Sequence, residues 1–216
     1  MKAALFAHLF RAILIAIALS AVPARGESGD PFGVSAAVAT ENSMTATWRQ
    51  LLLEIQADEL TVLQCRAGPA TCSPAALRYI AIVDDARGYE GEARVGHINR
   101  AVNLAIAVAH DGIWRSPLEA LASAGDCKSY AVAKYAALGA AGIPAADRRL
   151  VIVSVKSRQQ EAHVVVVVRL AARWVILDNR TQALVDSLDR HDYLPVLALD
   201  HAGVSEFQPR PGALGG

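Results

Sequence analysis

The stretch LVIVSVKSRQQEAHVVVVVRLAARWVILDN, residues 150–179, decides the fold. Leu150 to Val155 is apolar and β-branched, Ala162 to Leu170 holds five consecutive valines, and Trp174-Val175-Ile176-Leu177 is a third apolar run. Polar turn-formers interrupt them at Ser157–Gln160, and a short break at Ala171–Arg173 follows. Three runs of strand length with short breaks predict consecutive antiparallel strands. Asp178-Asn179 ends the third.

Upstream the period changes to that of helices. Trp48, Leu51, Leu52, Ile55 and Leu60 predict a helix over Thr45 to Leu60. Ser73 before Pro74 is an N-cap followed by a proline suited to the first helical position, and it predicts a helix to about Ala86. Val95, Ile98, Val102, Ala105, Ile106 and Ala109 predict another over Glu92 to Ala109, ended by Asp111-Gly112. Asn99 and Asn103 share one face of it, where they tether a neighbouring loop or line a cleft. A short helix is expected from Ser116-Pro117 to Ala124, and an alanine-rich one from Cys127 to Ala141, stopped by Gly142 and Pro144. Helices first and an antiparallel meander after predict an α+β domain rather than alternating βαβ units.

The chain has 216 residues, with 21 basic and 21 acidic side chains. That balance, with few aromatics, argues against a nucleic-acid partner. Lys2 and Arg11 precede an apolar run from Ala12 to Val22, too short for the ~20 residues of a bilayer span. Small residues at Leu19-Ser20-Ala21 and Val22-Pro23-Ala24 offer cleavage points. Residues 1–24 are therefore expected to be a signal peptide that exports the chain to the periplasm, with no stable membrane insertion after cleavage; an uncleaved anchor is the alternative. Residues 25–43 are expected to be a flexible mature N-terminus, 44–208 one domain, and 209–216 a disordered tail.

Export bears on the three cysteines, Cys65, Cys72 and Cys127. In an oxidising compartment close pairs bridge and an odd cysteine stays free. Cys65 and Cys72 flank Gly68-Pro69, so a disulfide is expected there, two buried thiols being the alternative.

Cys127 then stands alone in AGDCKSYAVAKY. At a helix N-terminus a thiol feels the positive end of the macrodipole, and free N–H groups could hold an oxyanion. Gly125 is expected to let substrate approach the backbone. A buried structural cysteine is the competing reading. His163 enters the valine strand and Asp178 leaves the next one. Each has an ordinary reading, a hydrogen-bonded core histidine and a turn-starting aspartate. The start of one strand and the end of the next lie at the same end of a hairpin, however, so the two should meet. Cys127, His163 and Asp178 are thus the candidate catalytic set: nucleophile, base and orienter. His97, His110, His191 and His201 have no metal-ligand spacing, and Asp84-Asp85 reads as a solvated helix face.

GDCKSYAVAKYAAL, then Gly142-Ile143-Pro144, EAHVVVVV and WVILDN resemble the bacterial transglutaminase-like cysteine peptidases, LapG-type periplasmic proteases among them. VNLAI upstream and the Cys65–Cys72 pair fit the same pattern, over roughly residues 45–195. The resemblance implies a papain- and transglutaminase-like fold. It also implies an exported peptidase acting on a protein or peptide of the cell envelope, in the best-known branch a biofilm adhesin. Transglutaminase-type acyl transfer to an amine and a non-catalytic binding domain are the rivals. The calcium-responsive branch carries acidic residues just after the nucleophile, as in GDCED. Here those positions are Lys128 and Ser129. One carboxylate, Asp126, is a poor match for the about six to eight oxygens that calcium takes, so no metal and no cofactor are expected. Lys128 is expected to favour the thiolate if it points toward Cys127.

Overall fold

The computed structural model describes residues 29–68, 72–156 and 161–208. The readings of 1–24 as a leader, of 209–216 as a tail and of the turn at 157–160 lie outside the described residues.

The helices come first. Asn42 caps α1 (Ser43–Ala67) in a capping box with Thr45. Ser73 caps α2 (Pro74–Arg87), and α3 spans Gly91–Ala105. Cys65 and Cys72 are bridged across the α1–α2 connection, with Cα atoms 5.0 Å apart. The predicted helix to Ala109 ends early. Ile106 turns extended, its carbonyl accepts from the Tyr130 hydroxyl at 2.6 Å, and Ala107–Val108 forms a strand, β2. After α4 (Pro117–Ala122), β3 (Ala124–Gly125) pairs parallel with β2, and α5 runs Cys127–Ala140.

The predicted strands follow as β4 (Arg148–Val155), β5 (Glu161–Leu170) and β6 (Arg173–Leu177). Beyond them lie β7 (Val185–Asp186), β8 (Tyr193–Asp200) and β9 (Gly203–Phe207). With β1 (Ala36–Val38) they make an antiparallel seven-stranded sheet in the order β1-β9-β8-β4-β5-β6-β7. The expectation of a flexible stretch over 25–43 differs from its described part. Phe32 is buried, Asp30 pairs with Arg149 at 2.8 Å, and the Trp174 indole donates to the Gly29 carbonyl. Those anchors hold β1 on β9.

The valine run explains itself in this architecture. Val164, Val166 and Val168 face the helices, while Val165 and Val167 face a second core with Phe32, Trp174 and Tyr193. A strand buried on both faces reads as an unbroken apolar run. The sheet therefore lies between the helical layer and a smaller cap, and the α5 start sits over one end of the β5–β6 hairpin.

Candidate active site

His163 and Asp178 meet as the hairpin requires. His163 Nε2–H donates to Asp178 Oδ1 at 2.9 Å, and both side chains are about 1% exposed. Two further donors hold the carboxylate. Arg180 N–H donates to Oδ1 at 2.9 Å and the Tyr193 hydroxyl to Oδ2 at 2.6 Å. Burial raises the Asp178 pKa, but the bonds from His163, Tyr193 and Arg180 outweigh it and hold the carboxyl well below its usual range. An ionised Asp178 fixes the imidazole with its proton on Nε2.

His163 Nδ1 is buried with no hydrogen bond inside the ordinary limits. The Cys127 thiol nevertheless lies close enough to couple to the ring. Burial pushes the thiol pKa up, while His163 and the main-chain N–H of Val164 pull it down, and the net shift is downward. For the imidazole, burial pulls down, Asp178 and Cys127 push up, and the net is upward. Both shifts favour a thiolate–imidazolium pair. Loose nucleophile–base contacts are common in unliganded sites.

The start of α5 is held by its cap. Asp126 Oδ1 accepts from Lys128 N–H at 3.0 Å, and Oδ2 accepts from Gly112 N–H at 3.1 Å and Lys128 Nζ at 2.7 Å. Lys128 therefore points at Asp126 and not at the thiol, so the condition for it to favour the thiolate is not met, and the Asp126 charge works against the thiolate. The same contacts answer whether a divalent cation fits here. The one carboxylate at the helix start already carries an ammonium, and no group of three His, Cys, Asp or Glu among the described residues could hold a metal. Gly125 also differs from its expected role. A Cβ there would stand 2.3 Å from Ser129 Cβ, so the glycine makes room for the first turn of α5 and not for substrate.

Cys127, part exposed, opens on a cleft of about 510 Å³ lined by Val108, Ala109, His110, Ala162, His163 and Asn179 among others. The roomier cavity, about 660 Å³ on the far face around Phe32, Tyr193 and Phe207, holds neither Cys127 nor His163. Among the described residues, His110 is the other histidine that lines the Cys127 cleft; His97 stacks on Tyr89, and His191 lines the far cavity. Asn99 and Asn103 are tethers. Asn103 Nδ2 donates to the Asp178 carbonyl at 3.0 Å and to Thr181, and Asn99 Nδ2 to Thr181 and Gln182.

Two residues near the triad escaped the sequence reading. Tyr193 opens β8, in a segment with no clear period. Lys134 lies two turns beyond Cys127 on α5 and is about 1% exposed. Burial lowers its pKa to about 7, opposed by the charge of Asp178. Its helical spacing from Cys127 was the available signal.

Comparison with known proteins bears on the family and the fold. The profile of the bacterial transglutaminase-like cysteine proteinases (BTLCP) matches residues 62–197. No curated protein sequence matches. Among solved structures, Legionella pneumophila LapG in its calcium-bound form superposes with TM-score 0.57 at 19% identity, over 70% of this chain and 87% of that one. The EGTA-treated form of the same protein gives TM-score 0.59 at 20% identity, over 71% and 87%. At that identity the likeness shows a shared fold, α+β and transglutaminase-like.

Proposed function

The chain belongs to the bacterial transglutaminase-like cysteine proteinases and is a cysteine peptidase, and from that premise we propose that it hydrolyses peptide bonds by a thiol mechanism with Cys127 as nucleophile, His163 as base and Asp178 as orienter. The observation that carries the reading is the arrangement around His163: one ring nitrogen bonded to a buried, ionised carboxylate, the other unbonded and turned to a thiol of lowered pKa.

The thiolate attacks the scissile carbonyl. The Lys128 N–H is committed to the cap, which leaves the Cys127 N–H at the helix start to meet the oxyanion. As the carbon–nitrogen bond breaks, the imidazolium gives its proton to the leaving amine. Neutral His163 then takes a proton from water, whose oxygen attacks the thioester, and the acid product leaves with the thiolate restored. Asp178 holds the ring tautomer through both steps. The cleft is open to solvent, which favours water over an amine as the second acceptor.

The substrate under this proposal is a protein or peptide of the cell envelope, reached by export to the periplasm. The Cys65–Cys72 disulfide supports an oxidising compartment. N-terminal sequencing of the chain from a periplasmic extract should begin after Ala21 or Ala24; an intact Met1 in the cytosol would contradict export.

The activity is tested on unfolded casein with dansylcadaverine present. New N-termini, absent with Cys127→Ala, and no dansyl label in the products are expected. Dansyl incorporation without new N-termini would establish acyl transfer in place of hydrolysis.

A further inference from the structure

The far-face cavity of about 660 Å³ is lined by none of the triad residues. Its volume lies within the about 300–1,000 Å³ of small-molecule sites. Its floor is aromatic and fixed. Phe32 and Phe207 meet edge to face at 6.4 Å. Phe32 holds φ +62°, a left-handed conformation rare for a bulky residue, and its N–H is secured by the Ser187 hydroxyl at 3.1 Å. Tyr193 lines the cavity and turns its hydroxyl to Asp178, so the cavity lies behind the orienting carboxylate. Around this floor Leu188, Leu194 and Val196 stay exposed. Exposed apolar side chains gathered at a cavity mark a binding place.

The charges divide along β8. At its start, Lys156 N–H donates to the Asp192 carbonyl at 3.0 Å, which sets the lysine beside Arg190 and His191 on the cavity wall. Arg190 is committed already: it pairs with Asp192 at 3.0 Å and lies over the Tyr193 ring at 3.9 Å. Lys156 makes no ion pair among the described residues. At the other end Glu206 stands opposite Leu197, ~13 Å along the strand from Tyr193 at ~3.3 Å per residue. Between the two ends the β8 residues Leu194, Pro195 and Val196 are apolar. One free ammonium matches a singly charged head; a phosphate takes several strong donors, which Arg190 does not have to spare.

We propose that this cavity binds a medium-chain fatty acid, its carboxylate on Lys156 and its chain laid along β8 toward Leu197, against Phe32 and Phe207. Glu206 disfavours the reverse orientation. Binding here does not involve Cys127 and stands whether or not that thiol is the nucleophile.

Equilibrium dialysis of the protein against radiolabelled octanoate, decanoate and dodecanoate, each below its micellar concentration, tests it. One fatty acid per chain is expected, with affinity rising about fourfold per added methylene, the ~0.8 kcal/mol of a buried CH₂. Decyltrimethylammonium, the same chain with a cationic head, should bind at least tenfold more weakly than decanoate. Lys156→Glu should weaken decanoate about fivefold and tighten the cationic amphiphile, and Leu194→Glu, which puts a charge in the trough, should abolish binding. Both side chains are exposed, so both variants should keep the wild-type peptidase rate, which reports that they fold. Cys127→Ala should bind decanoate as the wild type does. Affinity that ignores the head group or Lys156→Glu would mean unspecific apolar binding and overturn the proposal. Decanoate retained by Leu194→Glu would place the ligand elsewhere, with the same consequence. A dimer in sedimentation equilibrium that Leu194→Glu dissociates would give the cavity to a second copy of the chain and also overturn it.

Discussion

His163 and Asp178 lie on the β5–β6 hairpin with both side chains sealed from solvent, whereas Cys127 lies at the start of α5 in a cleft open to it. The hairpin half is fixed by strand register and by three donors on one carboxylate. The helix half is fixed by one capping aspartate and by the absence of a single Cβ at Gly125. The base and its orienter are preorganised by burial; the nucleophile is positioned by local sterics. The two halves should therefore break in different ways.

The largest effect is expected on the hairpin side. Asp178→Asn keeps the shape but allows the wrong imidazole tautomer, and kcat should fall by ~10⁴, as for orienting carboxylates in serine proteases. Measuring kcat on a cleaved peptide checks it; a loss under tenfold would remove Asp178 from the mechanism. On the helix side, Gly125→Ala pushes a Cβ into Ser129, so the α5 start must move. A shift of this kind costs about 100-fold in rate and about 1–3 kcal/mol in stability. Adding Ser129→Gly should restore much of both, since it deletes the atom in the way; no restoration would mean that the clash is not the cause.

Next comes Tyr193→Phe, which removes a buried bond to a charged group worth about 1.5–3 kcal/mol. The loss should appear in kcat, by about tenfold or more, with KM unchanged, because Tyr193 bonds Asp178 and does not line the Cys127 cleft. A change in KM alone would contradict a positioning role. The smallest effect concerns Lys134. Its folded pKa, about 7, lies below the unfolded value of 10.5. Between those values the unfolded chain binds the extra proton, so this group makes stability rise with pH from about 7 to 10.5. Lys134→Met should remove that rise in urea midpoints taken across pH; an unchanged slope would place the shift elsewhere.

How far the sequence was legible follows the same division. The hairpin announced itself, because a doubly buried strand must be apolar at every position and His163 interrupts that run at its entrance. The antiparallel pairing then made Asp178 its neighbour. The remainder of the sheet was hidden by irregularity. β8 contains Pro195, and its pairing with β4 shifts register between Ile152 and Val153, so no clean alternation survives, and Tyr193 went unnoticed with it. The edge strand β2 continues a helical apolar pattern, and only Tyr130 and Gly125, distant in sequence, turn those residues into strand. The direction of Lys128 was open in the sequence, because a capping aspartate two residues away competes for it, a contact that charge counting does not see.

The central claim is that a thiolate–imidazolium pair joins the two halves, and alkylation of Cys127 by iodoacetamide across pH tests it most directly. The lowered thiol pKa and raised imidazole pKa predict labelling that begins below the ~8.5 of a free thiol, with Cys65 and Cys72 unlabelled in their bridge. His163→Ala should return the onset to near the free value. An onset that ignores His163, or a Cys127 that does not react at all, would contradict the account.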